Sequence, residues 1–261
     1  MGGIFHTVLY QPLFNLLIWL YNVLPFADIG FAIIVLTIII KLILWPFTNA
    51  SLRSQKALQE IQPKLEDLKQ EHKNDKEKLA KAMMELYTKE KVNPLSSCLP
   101  LLVQLPILWA LYRVLRDGMT ADHFDALYQF VSAPESIHTM FLGIVDLTKR
   151  SIPLAVLAGI FQFFQTRMLM RRRPPKDLRK KEGVKDENMM ATMNKSMLYF
   201  MPVFTVFIGS SLPGGLTLYW VAVNVVSIIQ QKIVFSKKEK PKSDGGVIDV
   251  EAKPSEVPKI Q

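Results

Sequence analysis

The sequence predicts an all-α integral membrane protein: a five-helix transmembrane bundle with an outer interfacial helix and a cytosolic helical hairpin. Three observations lead there. The first is composition. Of 261 residues, 49% are hydrophobic, too large a share for an ordinary soluble domain. The second is run length. Apolar stretches at about 29–46, 95–115, 152–169, 196–212 and 214–235 are each long enough for a bilayer core of about 30 Å, and none holds Asp or Glu. The third is the distribution of charge. The formal net charge is +9, but the basic residues alternate between connecting segments.

That alternation sets an orientation. Residues 1–28 carry no Lys or Arg, and segment 47–93 holds ten. The loop 117–150 has Lys149 and Arg150 against five acids, and 170–194 is densely basic from Arg171 to Lys185. Cytoplasmic loops accumulate Lys and Arg. The N-terminus is therefore expected outside, 47–93 inside, 117–150 outside, and 170–194 and the C-terminus inside. Five crossings satisfy the pattern.

The elements follow in order. Residues 8–25 are apolar, with Gln11, Asn15 and Asn22 spaced four and seven apart as a narrow polar stripe. Tyr10, Trp19 and Tyr21 favour an interface. This reads as an amphipathic helix on the outer leaflet, residues 1–28. A sixth span entering from inside is the rival reading, and it leaves the later topology unchanged. Residues 29–235 form the five-span core. Within it, 47–93 reads as a polar helical hairpin, turning near His72–Asp75. Leu58, Ile61, Leu65 and Leu68 line one arm; Leu79, Ala82, Met83, Leu86 and Tyr87 line the other. Ten basic and eight acidic residues alternate along it, a pattern that favours i,i+4 pairs. Its apolar stripe is thin, so few contacts with the bundle are expected. Pro100 and Pro106 fall in the second span, where neighbouring helices can satisfy freed backbone groups. Ser211–Gly215 is a tight turn. The tail 236–261 is polar, basic and expected to be disordered.

The polar residues of the spans are patterned. Lys41 sits inside an otherwise uncharged run, with Thr37 four residues before it. A charge at membrane depth costs from about 3 to more than 10 kcal/mol and normally faces a bundle interior or a wet cavity. It could also snorkel toward Pro46, roughly 7 Å along the helix. The fifth span carries Thr217, Trp220, Asn224, Ser227 and Gln231 at spacings of three and four. Gln162, Gln165 and Thr166 mark the third span; Ser97 and Gln104 mark the second. These stripes either enclose a hydrated interior, lined by Thr37, Lys41, Gln104, Gln162, Gln165, Trp220, Asn224 and Ser227, or hydrogen-bond helix to helix. With no Asp or Glu in the spans, Lys41 is placed to meet an anion brought by a partner. Methionines around the basic loop, from Met168 to Met201, suit packing or a surface for varied apolar partners. Arg171, Arg172 and Arg173 suit anionic lipid headgroups.

Catalysis finds little footing. His6, His72, His123 and His138 lie outside the five spans, and no HExxH, GxSxG or phosphate-loop pattern occurs. Cys98 is the single cysteine, so neither an internal disulfide nor a multi-cysteine metal site can form. No metal site, cofactor or catalytic residue is expected. No ordinary signal peptide and no internal repeat is evident. A transporter usually shows paired halves, and none is seen.

Several segments together resemble the YidC-type membrane protein insertases: KLILWPFT from Lys41, IQPKL from Ile61, ELYTKEKVNPL from Glu85 and CLPLLVQLPI from Cys98. QPLF from Gln11, YFMP from Tyr199, and PGGLTLYW from Pro213 with Asn224 add to the likeness. It spans about residues 8–235, in the compact form that lacks a large extracytoplasmic domain. The resemblance implies five core helices around a hydrophilic groove open to cytosol and lipid, in a bacterial cytoplasmic membrane. It implies insertion of nascent membrane proteins, alone or beside the Sec translocon, without nucleotide hydrolysis. The nascent chain, the ribosome and anionic lipids would be the partners, with no direct nucleic-acid contact. The family's groove cation is usually arginine; Lys41 departs from that and loses the bidentate fork. Thr37 and Trp220 match substrate-contacting positions, the latter often tyrosine. A small transporter or channel with a polar interior is the alternative class.

Overall fold

The computed structural model describes residues 3–25, 28–93, 99–118, 121–170 and 187–236. Ser97, Cys98, Arg171–Arg173, the middle of the basic loop and the tail from residue 237 lie outside the described residues. Nine helices dominate the described chain: α1 Gly3–Val23, α2 Ile29–Ile43, α3 Trp45–Glu60, α4 Gln62–Glu71, α5 Lys76–Lys89, α6 Leu99–Gly118, α7 Ile152–Met170, α8 Glu187–Gly209 and α9 Gly214–Ser236. Helices α1, α9 and Ile152–Leu169 of α7 are long and apolar enough to cross a membrane, and the bent pair α2–α3 makes a fourth candidate. Helix α6 ends in Arg113, Arg116 and Asp117, and the apolar part of α8 is Leu198–Gly209. The all-α membrane class is therefore what the chain forms.

Helix α2 stops short of the expected end of its run. It breaks at Leu44, and α3 leaves at 67°. Pro46 explains the break, because its ring removes an N–H and crowds the carbonyl four residues back. The Leu42 carbonyl, four residues before Pro46, is taken instead by the Leu44 amide, and the Leu44 carbonyl opens the next helix by accepting from the Thr48 amide at 2.9 Å and the Thr48 hydroxyl at 3.0 Å. The hairpin arm thus begins at Trp45 and starts out of line with the span.

Two side-chain clusters hold the molecule together. The main core joins Phe14, Leu17 and Ile18 of α1, Ile29, Ile33 and Leu36 of α2, and Leu111, Val114 and Leu115 of α6. Leu216, Leu218 and Tyr219 of α9 close it. A second, small cluster of Ile61, Leu65 and Val92 closes the hairpin on itself, with Leu58, Met83, Leu86 and Tyr87 around it. The turn falls at 72–75, where the Asp75 carboxylate accepts from the Lys78 amide at 3.0 Å and caps α5. Lys56–Glu60 at 3.9 Å is an i,i+4 pair. The pair that ties the two arms is long-range, Lys64 Nζ to Glu90 Oε1 at 2.5 Å.

Helices α7 and α8 pack closely because their contact face is small. A Cβ added at Gly159 would meet the Val206 side chain and lie 3.0 Å from the Pro202 carbonyl oxygen. One added at Gly209 would lie 3.2 Å from the Ala155 Cβ. Ala155 and Gly159 are four apart, the small-residue spacing that lets apolar helices approach in lipid.

The polar stripe of α1 is put to a use the sequence did not suggest. Gln11 and Asn15 both donate to the Ala126 carbonyl, at 3.2 and 3.0 Å. Asn15 Oδ1 accepts from the Tyr128 amide at 2.6 Å, and Asn22 donates to the Ser132 carbonyl at 2.7 Å. Tyr21 donates to the Ser136 carbonyl at 3.1 Å. Asn15 is buried. The stripe is a seam that stitches α1 to the loop after α6, rather than a face left to water. Beyond it, a two-stranded hairpin pairs Met140–Phe141 with Val145–Asp146. Phe141 lies directly over Gly30, where any Cβ would strike its ring.

Asp28 locks these parts. Its Oδ1 accepts from the Gly30 amide at 2.7 Å and caps α2, while Oδ2 accepts from the Leu142 amide at 2.9 Å. Asp28→Ala strands both amides and is expected to cost about 1–3 kcal/mol. The check is a lowered thermal midpoint in detergent relative to an exposed control, Glu135→Ala. An unchanged midpoint would show that the clamp does not hold the hairpin.

Candidate functional site: a polar seam along the last helix

Helix α9 runs through the middle of the bundle, against α7, α2, α3 and α6. Its sequence begins with Gly214 and Gly215, whose amides bond to the Lys149 and Leu147 carbonyls at 2.7 and 2.9 Å. A Cβ at Gly214 would lie 3.0 Å from the Lys149 oxygen. The Pro-Gly-Gly start is thus what lets α9 enter beside the loop. From there its polar side chains meet partners at successive depths.

Thr217 donates to the Gly209 carbonyl of α8 at 3.1 Å. Gln104 of α6 donates to the Tyr219 hydroxyl. Asn224 donates to the Ala158 carbonyl of α7 at 3.1 Å. One turn on, the Ser227 hydroxyl accepts from Lys41 Nζ of α2 at 2.8 Å. Thr37 lies on the same face of α2, and its hydroxyl donates back to the Ile33 carbonyl at 2.7 Å. Trp220 is half-buried on α9, as are Gln162 and Gln165 on α7.

The structure therefore brings Lys41 and Ser227 together directly, and Gln104 and Asn224 to α9 by way of other partners. Among the described residues, no hydrogen bond joins Gln162 or Trp220 to Lys41. Thr37, Lys41, Asn224 and Ser227 are buried, Lys41 at 8% exposure. Helix-to-helix hydrogen bonding accounts for Asn224 and Gln104. It does not account for Lys41. An ammonium carries three donors, and here one hydroxyl receives it, with no carboxylate in ion-pair reach among the described residues. Burying such a cation without a counter-charge is costly. Two buried amide oxygens nearby in sequence pattern, Gln165 Oε1 and Gln231 Oε1, accept no hydrogen bond from any described residue. A native polar atom in that condition calls for an explanation. Unused donors and acceptors thus remain on α2, α7 and α9.

Sequence reasoning missed Gln230. Its Nε2 lies within hydrogen-bond distance of Thr48 Oγ1 (2.6 Å), Asn49 Oδ1 (2.9 Å) and the Trp45 carbonyl (3.4 Å). It fastens the root of the hairpin to α9. Gln59, at the far end of α3, ties that arm to α7, donating to the Leu169 carbonyl at 2.6 Å. The expected scarcity of contacts between hairpin and bundle is thus corrected along α3. Gln230 lies three residues after Ser227, a step the spacing allows as readily as Gln231 at four, and only the bend at Leu44 carries Thr48 and Asn49 to it.

A helical membrane protein with a lone buried cation and a polar seam through its centre is the class these features define. Residues 19–242 match the 60Kd inner membrane protein family, and the chain belongs to that family. It is 35% identical over 211 residues to a relative named membrane protein insertase YidC from Fusobacterium nucleatum, covering 81% of this chain and 88% of the relative. Relatives of the same name from Shewanella halifaxensis and Anaeromyxobacter sp. are 37% and 39% identical, over 88% and 81% of this chain. The chain spans only 37% and 33% of those two. In fold it is similar to a structure described as an active YidC insertase crystal structure with the first transmembrane domain resolved. The TM-score is 0.56 at 24% identity, over 91% of this chain and 48% of that one.

Burial ranks the side chains for a water-soluble thiol reagent, with Cys98 first changed to Ser. Cysteines at Thr37 and Asn224, 1% and 2% exposed, are expected to react slowly in the resting protein. A cysteine at the half-buried Trp220 should react several-fold faster, the order set by access to water. Reversal of that order would show that water reaches Thr37 and Asn224 more readily than Trp220.

Proposed function

We propose that this protein is a membrane protein insertase and chaperone. The seam of α2, α7 and α9 is its hydrophilic groove, open to cytosol and lipid. The observation that carries the reading is the Lys41 ammonium, held among apolar helices by one hydroxyl, with no counter-ion among the described residues. Thr37, Gln104, Gln162, Gln165, Trp220, Asn224 and Ser227 are the groove's remaining polar set. A nascent chain brings a short polar segment bearing Asp or Glu. Its carboxylate approaches Lys41, and the attraction grows as water is excluded. That contact offsets part of the cost of drawing the polar segment into the membrane. The apolar helix behind it then partitions to lipid, and burying about 20 apolar residues drives the step. The activity is binding and release, not bond chemistry.

Charge distribution supports the placement. The N-terminus and the loop 117–150 lie outside, and the hairpin 47–93, the basic loop 170–194 and the C-terminus lie in the cytosol of a bacterial inner membrane. Residues 1–28 lie along the outer interface. The hairpin, rooted by Gln230 and Gln59 and otherwise packed on itself, receives the chain or the ribosome. The basic loop meets anionic lipid. The Sec translocon is a further partner for longer substrates.

The test is reconstitution into liposomes with a single-span substrate that carries an acidic tail. Lys41→Arg is expected to keep insertion near the native rate, and Lys41→Glu to lower it at least about tenfold, the effect of roughly 1.4 kcal/mol of lost attraction. Native-rate insertion by Lys41→Glu would remove the electrostatic role. Solute flux without insertion would instead assign a channel.

A further inference from the structure

A second polar site lies at the far end of α6 from the hairpin, and the insertion reading does not use it. His6 and Tyr10 of α1, Arg113, Arg116 and Asp117 of α6, and Asp125 and Ala126 of the following turn line a cavity of about 230 Å³. Part of this charge is already matched. Asp117 is buried and accepts from Tyr10 Oη at 3.1 Å and from Arg116 Nε at 2.9 Å. The rest is not. Arg113 is half-buried with its guanidinium 5.2 Å from the centre of the Tyr10 ring, and it makes no ion pair among the described residues. Asp125 is exposed at the cavity and likewise makes none. One cavity therefore presents an unneutralised guanidinium and an unneutralised carboxylate.

The surface leading to it is apolar and bare. Leu102, Leu105 and Trp109 are 57%, 52% and 61% exposed. Their spacing of three and four continues to Arg113 and Arg116, so all five share one stripe of α6. A ligand fitting both parts needs a long apolar chain, an anion near Arg113 and a cation beyond it. A phosphodiester suits the planar guanidinium. A primary ammonium, with N–H groups to give, suits Asp125.

We propose that this cavity is a headgroup site for an aminophospholipid of the adjoining leaflet, its phosphodiester on Arg113, its ammonium on Asp125 and an acyl chain along Leu102, Leu105 and Trp109. Occupancy would pin α1 against α6 and the following turn at the membrane boundary. The site discriminates among lipids by its carboxylate. A quaternary choline has no N–H to donate, and a glycerol headgroup brings no cation and leaves Asp125 unmatched.

The experiment uses the full chain in vesicles of equal parts phosphatidylethanolamine, phosphatidylcholine and phosphatidylglycerol. Mild detergent extraction and native mass spectrometry then read the retained lipid. Phosphatidylethanolamine should be enriched about tenfold over the other two, the scale of one charge-assisted hydrogen bond. Arg113→Gln should abolish retention of all three, and Arg113→Lys should keep it, which separates lost charge from misfolding. Asp125→Asn lies on an exposed side chain. It should keep retention but erase the preference for phosphatidylethanolamine over phosphatidylglycerol. Equal retention of the three lipids by the native chain would overturn the proposal, as would an unaltered preference in Asp125→Asn. Equal retention of chain-free glycerophosphoethanolamine would assign the cavity to a soluble phosphate and exclude the acyl stripe. None of these readouts depends on insertion activity.

Discussion

A helix that carries polar groups through an apolar medium has to bring their partners with it, and α9 does so along its whole length. Thr217, Tyr219, Asn224, Ser227 and Gln230 each meet a group from a different part of the chain: α8, α6, α7, α2 and α3 in turn. In water, such bonds would exchange with solvent and add little. In lipid there is no solvent to exchange with, so each fixes a neighbour at a set depth. The order of the helices around α9 follows from this. The same requirement leaves Lys41 conspicuous, because a single hydroxyl meets only part of what an ammonium needs.

The membrane imposes a second constraint on the loop 117–150. Its carbonyls at Ala126, Ser132 and Ser136 are capped by side chains of α1. Asp28 and the β-hairpin then seal the start of α2. That end of the bundle is stitched by many short-range polar contacts. The hairpin end is held differently. Beyond the hydrogen bonds of Gln230 and Gln59, the arms pack on the small cluster of Ile61, Leu65 and Val92 and the half-buried side chains around it. Few buried apolar contacts and exposed polar faces are the marks of a segment of low local stability. Such an element can move at its tip without disturbing the bundle.

Run length and charge made the membrane class legible before any coordinates, because both are properties of contiguous residues. The hairpin turn at 72–75 was equally legible, since two periodic helices flank a polar break. The stripe of α9 could be read from its spacing of three and four. What the stripe touches could not. Asn15 and Asn224 look alike in sequence as polar residues on apolar helices. One proves to be a clasp for a loop 113 residues away and the other a bridge to α7. Their partners are backbone amides and carbonyls, which carry no residue-specific signal.

By itself, then, the sequence determined which segments can lie in lipid, where the basic loops fall and which helix faces are polar. These depend on local composition and on the fixed period of the helix. Only the tertiary structure decided that the α1 stripe is a seam, that Gln230 anchors the hairpin, and that Arg113 and Asp125 share one cavity. The seam and the Gln230 anchor pair residues distant in the chain, Arg113 and Asp125 face each other across a turn, and the packing of α1 on α6 and of α9 on α3 sets the distances between them. Hydrogen bonds and ion pairs fall off within a few ångströms, so they are settled by that packing and not by spacing along the chain.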